Sequence, residues 1–161
     1  MERCVAEVGV LGGGQLERLR RGGGRHEREQ VRALDLGAGV GRVSRGLLLH
    51  LADEVDMCDG CAKFVAQAEQ QLGGARTGAR GRMGRFICSD LQSFVPDARR
   101  YDLIWMQWCV GYLTDEHLSR LLRDCGRALA PEGLLVIKDN VFERARPVSY
   151  THLTLPTICS V

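Results

Sequence analysis

Three glycines at every second position follow an apolar run that ends in an acid: Ala33-Leu34-Asp35-Leu36-Gly37-Ala38-Gly39-Val40-Gly41-Arg42. A glycine-rich turn at the carboxyl end of a parallel strand lets the backbone approach a ligand closely. The helix that follows offers free N–H groups and the positive end of its dipole. That chemistry suits an adenosine-type ligand. The spacing is Gly-x-Gly-x-Gly rather than the Gly-x-Gly-x-x-Gly of dinucleotide enzymes, and Asp35 stands two residues before the first glycine. Its carboxylate would repel a diphosphate and would favour a ligand carrying ammonium and sulfonium groups. Asp59, 20 residues after Gly39, can accept both hydroxyls of a ribose; its plainer role is that of a turn residue. Together these features favour S-adenosylmethionine over NAD.

Two further strand ends point at the same crevice. Asp90-Leu91-Gln92 could accept from an adenine amino group, or Asp90 could be a solvated loop acid. In Tyr101-Asp-Leu-Ile-Trp105-Met-Gln107-Trp108, Trp105 lies inside the apolar run and reads as core. Gln107 and Trp108 fall at the strand end, where an amide can bond to a cofactor and an indole can wall a substrate channel.

Positioning these residues requires a parallel sheet covered by helices, and from Val31 onward short apolar runs alternate with amphipathic segments as βαβ units do. Strands are predicted at Val31–Leu36, Glu54–Cys58, Arg85–Ser89, Tyr101–Gln107 and Gly133–Lys138. Cys61, Phe64, Val65, Ala68 and Leu72 recur at helical spacing. A second helix is predicted from Asp115 to Ala130, capped by Thr114, with Leu118, Leu121, Leu122, Cys125 and Leu129 inward. Pro131-Glu132-Gly133 then turns the chain back into a strand.

Composition sets the outer limits. The 161 residues are 45% apolar and 26% charged, with 22 Lys and Arg against 20 Asp and Glu, a net charge of +2. One soluble domain is expected, and the weak overall field does not call for nucleic acid or lipid. No stretch reaches the roughly 18–20 apolar residues of a membrane span. Seven cysteines (Cys4, Cys58, Cys61, Cys88, Cys109, Cys125, Cys159) without a secretory leader read as reduced thiols of a cytoplasmic or nuclear protein. Cys58-x-x-Cys61 lacks the second pair that a zinc site needs, so no metal is expected.

Three segments stand apart. Residues 1–30 hold an arginine- and glycine-rich arm, LERLRRGGGRHEREQVR from Leu16, whose acids offset half of its arginines. Gly73–Arg85 has four arginines and five glycines and reads as an exposed loop, which keeps an RNA contact through Arg76, Arg80, Arg82 and Arg85 as a second hypothesis. Pro147–Val161 changes abruptly to Thr, Leu, Ser and Pro and reads as a non-native tail outside the fold.

ALDLGAGVGR, EVDMCD, YDLIWMQW, GYLTDEHL and GLLVIKDN, in that order, resemble the alpha N-terminal protein methyltransferases, the Xaa-Pro-Lys N-terminal methylating enzymes. The likeness runs from Val31 to Asn140, and VGVLGGG at Val8–Gly14 is similar to the family's substrate lid. It implies an α/β class I methyltransferase fold, a Rossmann-like parallel sheet with helices on both faces. It also implies S-adenosylmethionine as donor and a free protein α-amine as acceptor. Residue by residue, it assigns Gly37, Arg42, Asp59, Leu91, Gln92 and Gln107 to the cofactor, Arg42 by pairing with the methionine carboxylate. Trp108 and Asn140 would meet the substrate, and Tyr112 with Asn140 would serve the reaction.

The chain departs from that pattern at Tyr112, where most members have histidine. A phenol, titrating at about 10 in water, can bond to the amine but accepts its proton poorly. The family's acids beyond Asn140, its last two strands and much of its lid have no counterpart here. Residues 31–146 therefore read as an incomplete methyltransferase domain, its fifth strand LLVIKD left as an exposed apolar edge, and as a poor or inactive catalyst. The remaining alternatives are an RNA-associated domain with this fold, a methyltransferase acting on a small molecule, and an NAD-dependent oxidoreductase.

Overall fold

A computed structural model describes residues 5–8, 30–74 and 80–140. Six strands form one sheet: β1 (Val5–Val8), β2 (Arg32–Leu36), β3 (Glu54–Asp59), β4 (Arg82–Cys88), β5 (Tyr101–Gln107) and β6 (Leu129–Asn140), in the order β1-β6-β5-β2-β3-β4. The five strands from β2 to β6 are parallel, and β1 is antiparallel to β6. The chain lays β3 and β4 on one side of β2 and then returns to place β5 and β6 on the other. Strand order thus reverses between β2 and β5, the point at which such sheets open a crevice beyond their carboxyl ends.

Ala33 to Leu36 and Leu103 to Met106 are buried without a break. A strand covered on both faces gives a continuous apolar run of this kind rather than an alternating one. Alternate residues serve opposite faces. Ala33, Val55, Leu103, Trp105 and Val136 pack against Leu48, Leu49 and Leu51, which belong to a π-helix, Ser44–Leu48, running into α1, Leu49–Leu51. Leu34, Leu36, Cys58, Ile104 and Met106 pack against Leu121, Cys125 and Ala128 of α3 (Asp115–Ala128). Helix α2 (Ala62–Leu72) buries Val65, Ala68 and Leu72. The Thr114 cap forms as its type dictates, its side chain accepting from the His117 N–H at 3.3 Å.

Several elements differ from the sequence-based expectation. Helix α3 ends at Ala128, not Ala130, because Leu129 already pairs with Tyr101. Leu103 then pairs with Leu134, so Pro131-Glu132-Gly133 is a bulge within β6, with Glu132 at φ +64°, rather than a turn ahead of it. Leu118 and Leu122 are only half-buried, and Leu129 joins the core from the strand. β4 begins at Arg82, three residues early, because Arg82 pairs with Glu54 and Met83 with Val55 at the start of β3. β6 is not an open edge: Val5 to Val8 pair with Asn140 to Ile137. Part of the expected N-terminal arm is therefore a strand. The lid segment beyond Val8, the arginine-glycine arm up to Glu29 and the tail from Pro147 lie outside the described residues. Among the described residues no helix is long and apolar enough to cross a membrane.

Candidate functional site

The glycine turn sits at the strand-order reversal. Gly37 has φ +69°, a left-handed conformation that side chains rarely adopt. A Cβ placed on it would lie 2.7 Å from Cys109 Cβ and 3.8 Å from Leu91 Cδ1. The turns after β2, β4 and β5 therefore meet at this one glycine. The turn is held from β3, the Cys58 carbonyl accepting from the N–H groups of Gly37 and Ala38 at 2.9 and 3.1 Å. Gly39 is also left-handed, φ +56°, yet a Cβ there would meet nothing within 4 Å. Its absent side chain leaves open space over the loop.

Asp59 ends β3 and faces that loop. One carboxylate oxygen accepts from the Gly39 N–H and the other from the Cys61 N–H, each at 2.8 Å. A carboxylate offers about four acceptor positions, so both oxygens keep capacity for further donors while the backbone fixes their direction. Asp35 is buried, and one of its oxygens accepts from the Ser44 N–H at 3.0 Å and from the Ser44 hydroxyl at 2.7 Å. Burial pushes its pKa up to about 6, against the lowering effect of both Ser44 hydrogen bonds and with help from the charge on Asp59. A cation beside Asp35 would relieve that cost.

The other expected residues fall around this centre to different degrees. Leu91 touches the Gly37 position, and Gln92, next to it, is exposed. Asp90 does not project an unengaged carboxylate: one oxygen accepts from both the N–H and the hydroxyl of Ser93 at 2.8 Å, and these bonds hold its pKa below the ordinary value. Arg42 is exposed, on the turn that enters the π-helix. Gln107 is half-buried, and its amide oxygen accepts from the Trp105 indole N–H at 3.2 Å. Trp105 is core as expected, but it also orients Gln107.

Trp108 and Tyr112 are large aromatic side chains left 53% and 54% exposed, and with Val95 they are the exposed large hydrophobic side chains among the described residues. Trp108 has φ +57°, a strained conformation for a bulky residue. Its N–H donates to the Lys138 carbonyl at 2.9 Å. Tyr112 closes a short 3-10 turn, Val110–Tyr112, whose first N–H donates to the Asp139 carboxylate at 2.9 Å. Asn140 is exposed at the end of β6.

Two residues at the centre were not singled out from sequence. Cys109 is buried against Gly37, its thiol donating to the Leu36 carbonyl at 3.5 Å. Burial first, then the charge on Asp139, with smaller effects from Asp35 and Asp59, pushes that thiol up to about 12, so it stays neutral. Asp139 thus stands close to the same centre as Asp35 and Asp59, each from the end of a different strand. The rule that strand ends carry sites, applied to β6, would have found it.

The arginines of the 80–85 segment are engaged at the opposite end of the sheet. Arg80 pairs with Asp53 at 2.9 Å, Arg82 with Glu54 at 2.7 Å, and Arg85 with Asp56 at 3.0 Å and Asp97 at 2.8 Å. Among the described residues no group of three His, Cys, Asp or Glu could hold a metal ion. Cys58, Cys61, Cys88, Cys109 and Cys125 are free thiols.

Comparison with known proteins places this geometry in a family. The family of AdoMet-dependent proline di-methyltransferases matches residues 3–148. N-terminal Xaa-Pro-Lys N-methyltransferase 1 of Xenopus tropicalis is 44% identical over 126 residues, 78% of this chain and 54% of the relative. Its human counterpart is 49% identical over 109 residues, 68% of this chain and 47% of the relative. The chain thus spans about half the length of these curated relatives. A solved SAM-dependent methyltransferase from Leishmania major superposes with a TM-score of 0.64 at 32% identity, over 70% of this chain and 43% of that one. With the glycine turn and the Asp59 carboxylate at the strand-order reversal, the chain belongs to the family of AdoMet-dependent proline di-methyltransferases.

Proposed function

We propose that this chain holds S-adenosylmethionine and directs its methyl group to the free α-amine of protein N-termini of the Xaa-Pro-Lys type. The observation that carries the cofactor is the Asp59 carboxylate, held by the Gly39 and Cys61 N–H groups beside a left-handed loop with open space over Gly39. Family membership and the names of the relatives support the reaction.

The residues present fit the nucleoside. Asp59 would accept its ribose hydroxyls, and Arg42 would pair with its carboxylate. The backbone at Gly37 and Gly39 would lie against it, with Leu91, Gln92 and Gln107 around the base and the methionine chain. Asp35 supplies negative charge near the ammonium. When bound, the cofactor supplies a methyl group activated by a sulfonium.

Trp108 and Tyr112 wall the acceptor side, and Asn140 bonds to the incoming peptide. An α-amine titrates near 8, so roughly a tenth is neutral at pH 7 without help. What this site must add is alignment: the Tyr112 hydroxyl accepts from an amine N–H and so aims the nitrogen lone pair. The nitrogen–carbon bond would form as the carbon–sulfur bond broke, leaving a neutral thioether. The proton on the new ammonium would then pass to water.

Two measurements test this. Calorimetry with S-adenosylhomocysteine and with NAD should give binding of the first alone. Label from S-adenosylmethionine should then pass to Ser-Pro-Lys and Pro-Pro-Lys peptides and not to the same peptides acetylated at the α-amine. Binding of NAD instead, or label reaching small amines while sparing free N-termini, would refute the reading.

A further inference from the structure

We infer that Asp139 is a positioning residue for the acceptor side of the crevice, holding the turn that carries Trp108 and Tyr112 through the Val110 N–H. The inference rests on the reading of Trp108 and Tyr112 as acceptor-side residues.

Trp108 is left-handed at φ +57°, a state that is unfavourable for a bulky residue and persists only where neighbours enforce it. Two hydrogen bonds flank it, and both come from the end of β6: the Trp108 N–H to the Lys138 carbonyl at 2.9 Å, and the Val110 N–H to the Asp139 carboxylate at 2.9 Å. The first is a main-chain bond that any residue at 138 would provide. The second requires an acceptor side chain at 139.

Asp139 is itself well placed to act as a clamp. Its other oxygen accepts from the Asn140 N–H at 2.8 Å, which sets the side-chain angle. The β5–β6 register, with Gln107 opposite Lys138, puts residue 139 just beyond the last pair, level with the turn that starts at Trp108. One side chain thus links the strand end bearing Asn140 to the 3-10 turn bearing Tyr112. Without it the turn keeps the Trp108 N–H to the Lys138 carbonyl, the Cys109 thiol to the Leu36 carbonyl, and its own bonds, Tyr112 N–H to the Cys109 carbonyl at 3.3 Å and Leu113 N–H to the Val110 carbonyl at 3.0 Å, but the Val110 N–H loses its hold on β6. Tyr112 would then lose its fixed direction, and Trp108 one of the two bonds that enforce its conformation.

Asp139→Ala and Asp139→Asn in the full chain test this. The asparagine keeps an oxygen that can accept from Val110 while removing the charge. In Asp139→Ala, amide exchange at Val110 should quicken about ten-fold, as loss of one charge-assisted hydrogen bond implies. KM for a Ser-Pro-Lys peptide should rise about ten-fold by the same reckoning, while any change in the Kd for S-adenosylhomocysteine from the lost charge should be the same in Asp139→Ala and Asp139→Asn. Asp139→Asn should restore slow exchange at Val110 and most of the KM. Equal damage to KM and Val110 exchange from Asn and Ala would show that charge matters rather than the clamp, and unchanged exchange at Val110 in Asp139→Ala would overturn the inference outright. Should the unmodified chain transfer no methyl group, the functional reading fails on its own terms, and Val110 exchange still decides whether Asp139 holds the turn.

Discussion

At the amino end of the sheet Glu54, Asp56, Asp97 and Asp53 meet Arg82, Arg85, Arg100 and Arg80. At the carboxyl end Asp35, Asp59 and Asp139 meet backbone N–H groups and one serine hydroxyl. The two ends use the same residue type for opposite purposes. Paired acids tie strands and loops together, and their charge is spent within the fold. Acids held only by neutral donors keep a net negative field, which a cationic ligand can use. The comparison also explains why an arginine-rich segment need not be a nucleic-acid contact. Arg80, Arg82 and Arg85 already have carboxylates within 3.0 Å.

The sharpest way to break the comparison is at Asp56. It is 1% exposed, accepts from the Arg85 N–H at 2.7 Å, the Arg85 guanidinium at 3.0 Å and the Tyr101 hydroxyl at 2.9 Å, and pairs with Arg100 at 3.2 Å. Burial alone would raise its pKa, but the hydrogen bonds from Arg85 and Tyr101 and the Arg85 charge hold it below the ordinary value. Asp56→Ala leaves the Arg85 N–H and the Tyr101 hydroxyl without their acceptor, although Arg85 keeps Asp97 and Arg100 keeps Glu54, and the two orphaned donors should cost about 3–5 kcal/mol in urea unfolding. In the intact chain a depressed carboxylate pKa stabilises above the ordinary value of 3.8 and the contribution is lost as pH falls through the lowered one. A loss under about 1 kcal/mol in Asp56→Ala would mean that the paired end is not structural.

Asp35 should respond with the opposite sign. Its pKa of about 6 lies above the ordinary 3.8, so the folded chain prefers it protonated. The stability it contributes is full below 3.8 and disappears as pH rises through 6. Asp35→Asn, keeping an acceptor for Ser44, should stabilise the chain at pH 7 by up to about 3 kcal/mol, roughly two pKa units. The same variant should weaken S-adenosylhomocysteine, because the field on the ammonium is gone. In the unmodified chain, affinity should fall below pH 6 by at most about ten-fold per pH unit, the reverse of the trend in stability. Stability and affinity moving together across pH 4 to 6 would contradict this assignment.

Parts of this division could be read along the chain, and parts could not. The apolar run Leu103–Met106, and Ala33–Leu36 with Asp35 as its one polar residue, announce parallel strands buried on both faces. Gly37 and Asp59 follow from strand-end chemistry that depends only on local sequence. Asp139 lies at a strand end by the same rule, but its role does not follow, because its partner Val110 is 29 residues away and meets it only through the β5–β6 register. Nor do the pairs of Arg82 and Arg85, which need β4 laid beside β3. The Pro131-Glu132-Gly133 sequence carries a turn signal, yet the pairing of Leu129 with Tyr101 absorbs it as a bulge. The pairing of Val5–Val8 with β6 joins opposite ends of the chain and has no local signal in either segment.

Asp59→Ala sharpens the carboxyl end with an intermediate effect. Losing a charged acceptor for two hydroxyls removes about 1.5–3 kcal/mol, which is ten- to a hundred-fold in the Kd for S-adenosylhomocysteine. Asp59→Asn should fall between the two, since it keeps one acceptor oxygen. Calorimetry at pH 7 measures both. An unchanged Kd in Asp59→Ala would remove the carboxylate from the site.

The smallest effect expected is at Arg82. Its guanidinium bonds to Glu54 at 2.7 Å, but its side chain is 71% exposed, and Glu54 also has Arg100 at 3.1 Å and Arg32 at 3.7 Å. An exposed ion pair is worth at most about 1 kcal/mol, and here two other arginines remain to neutralise the acid. Arg82→Ala should therefore shift the urea midpoint little, far less than Asp56→Ala. Arg85→Ala should lie between them, because it strips the buried Asp56 of its guanidinium and leaves the Arg85 main-chain bond in place. This graded series follows from how deeply each carboxylate is buried, not from how many arginines the segment holds. If instead Arg82→Ala and Arg85→Ala left stability untouched and removed a salt-sensitive affinity for RNA, the arginines would be serving a partner. The contrast between the two ends of the sheet would then have to be redrawn.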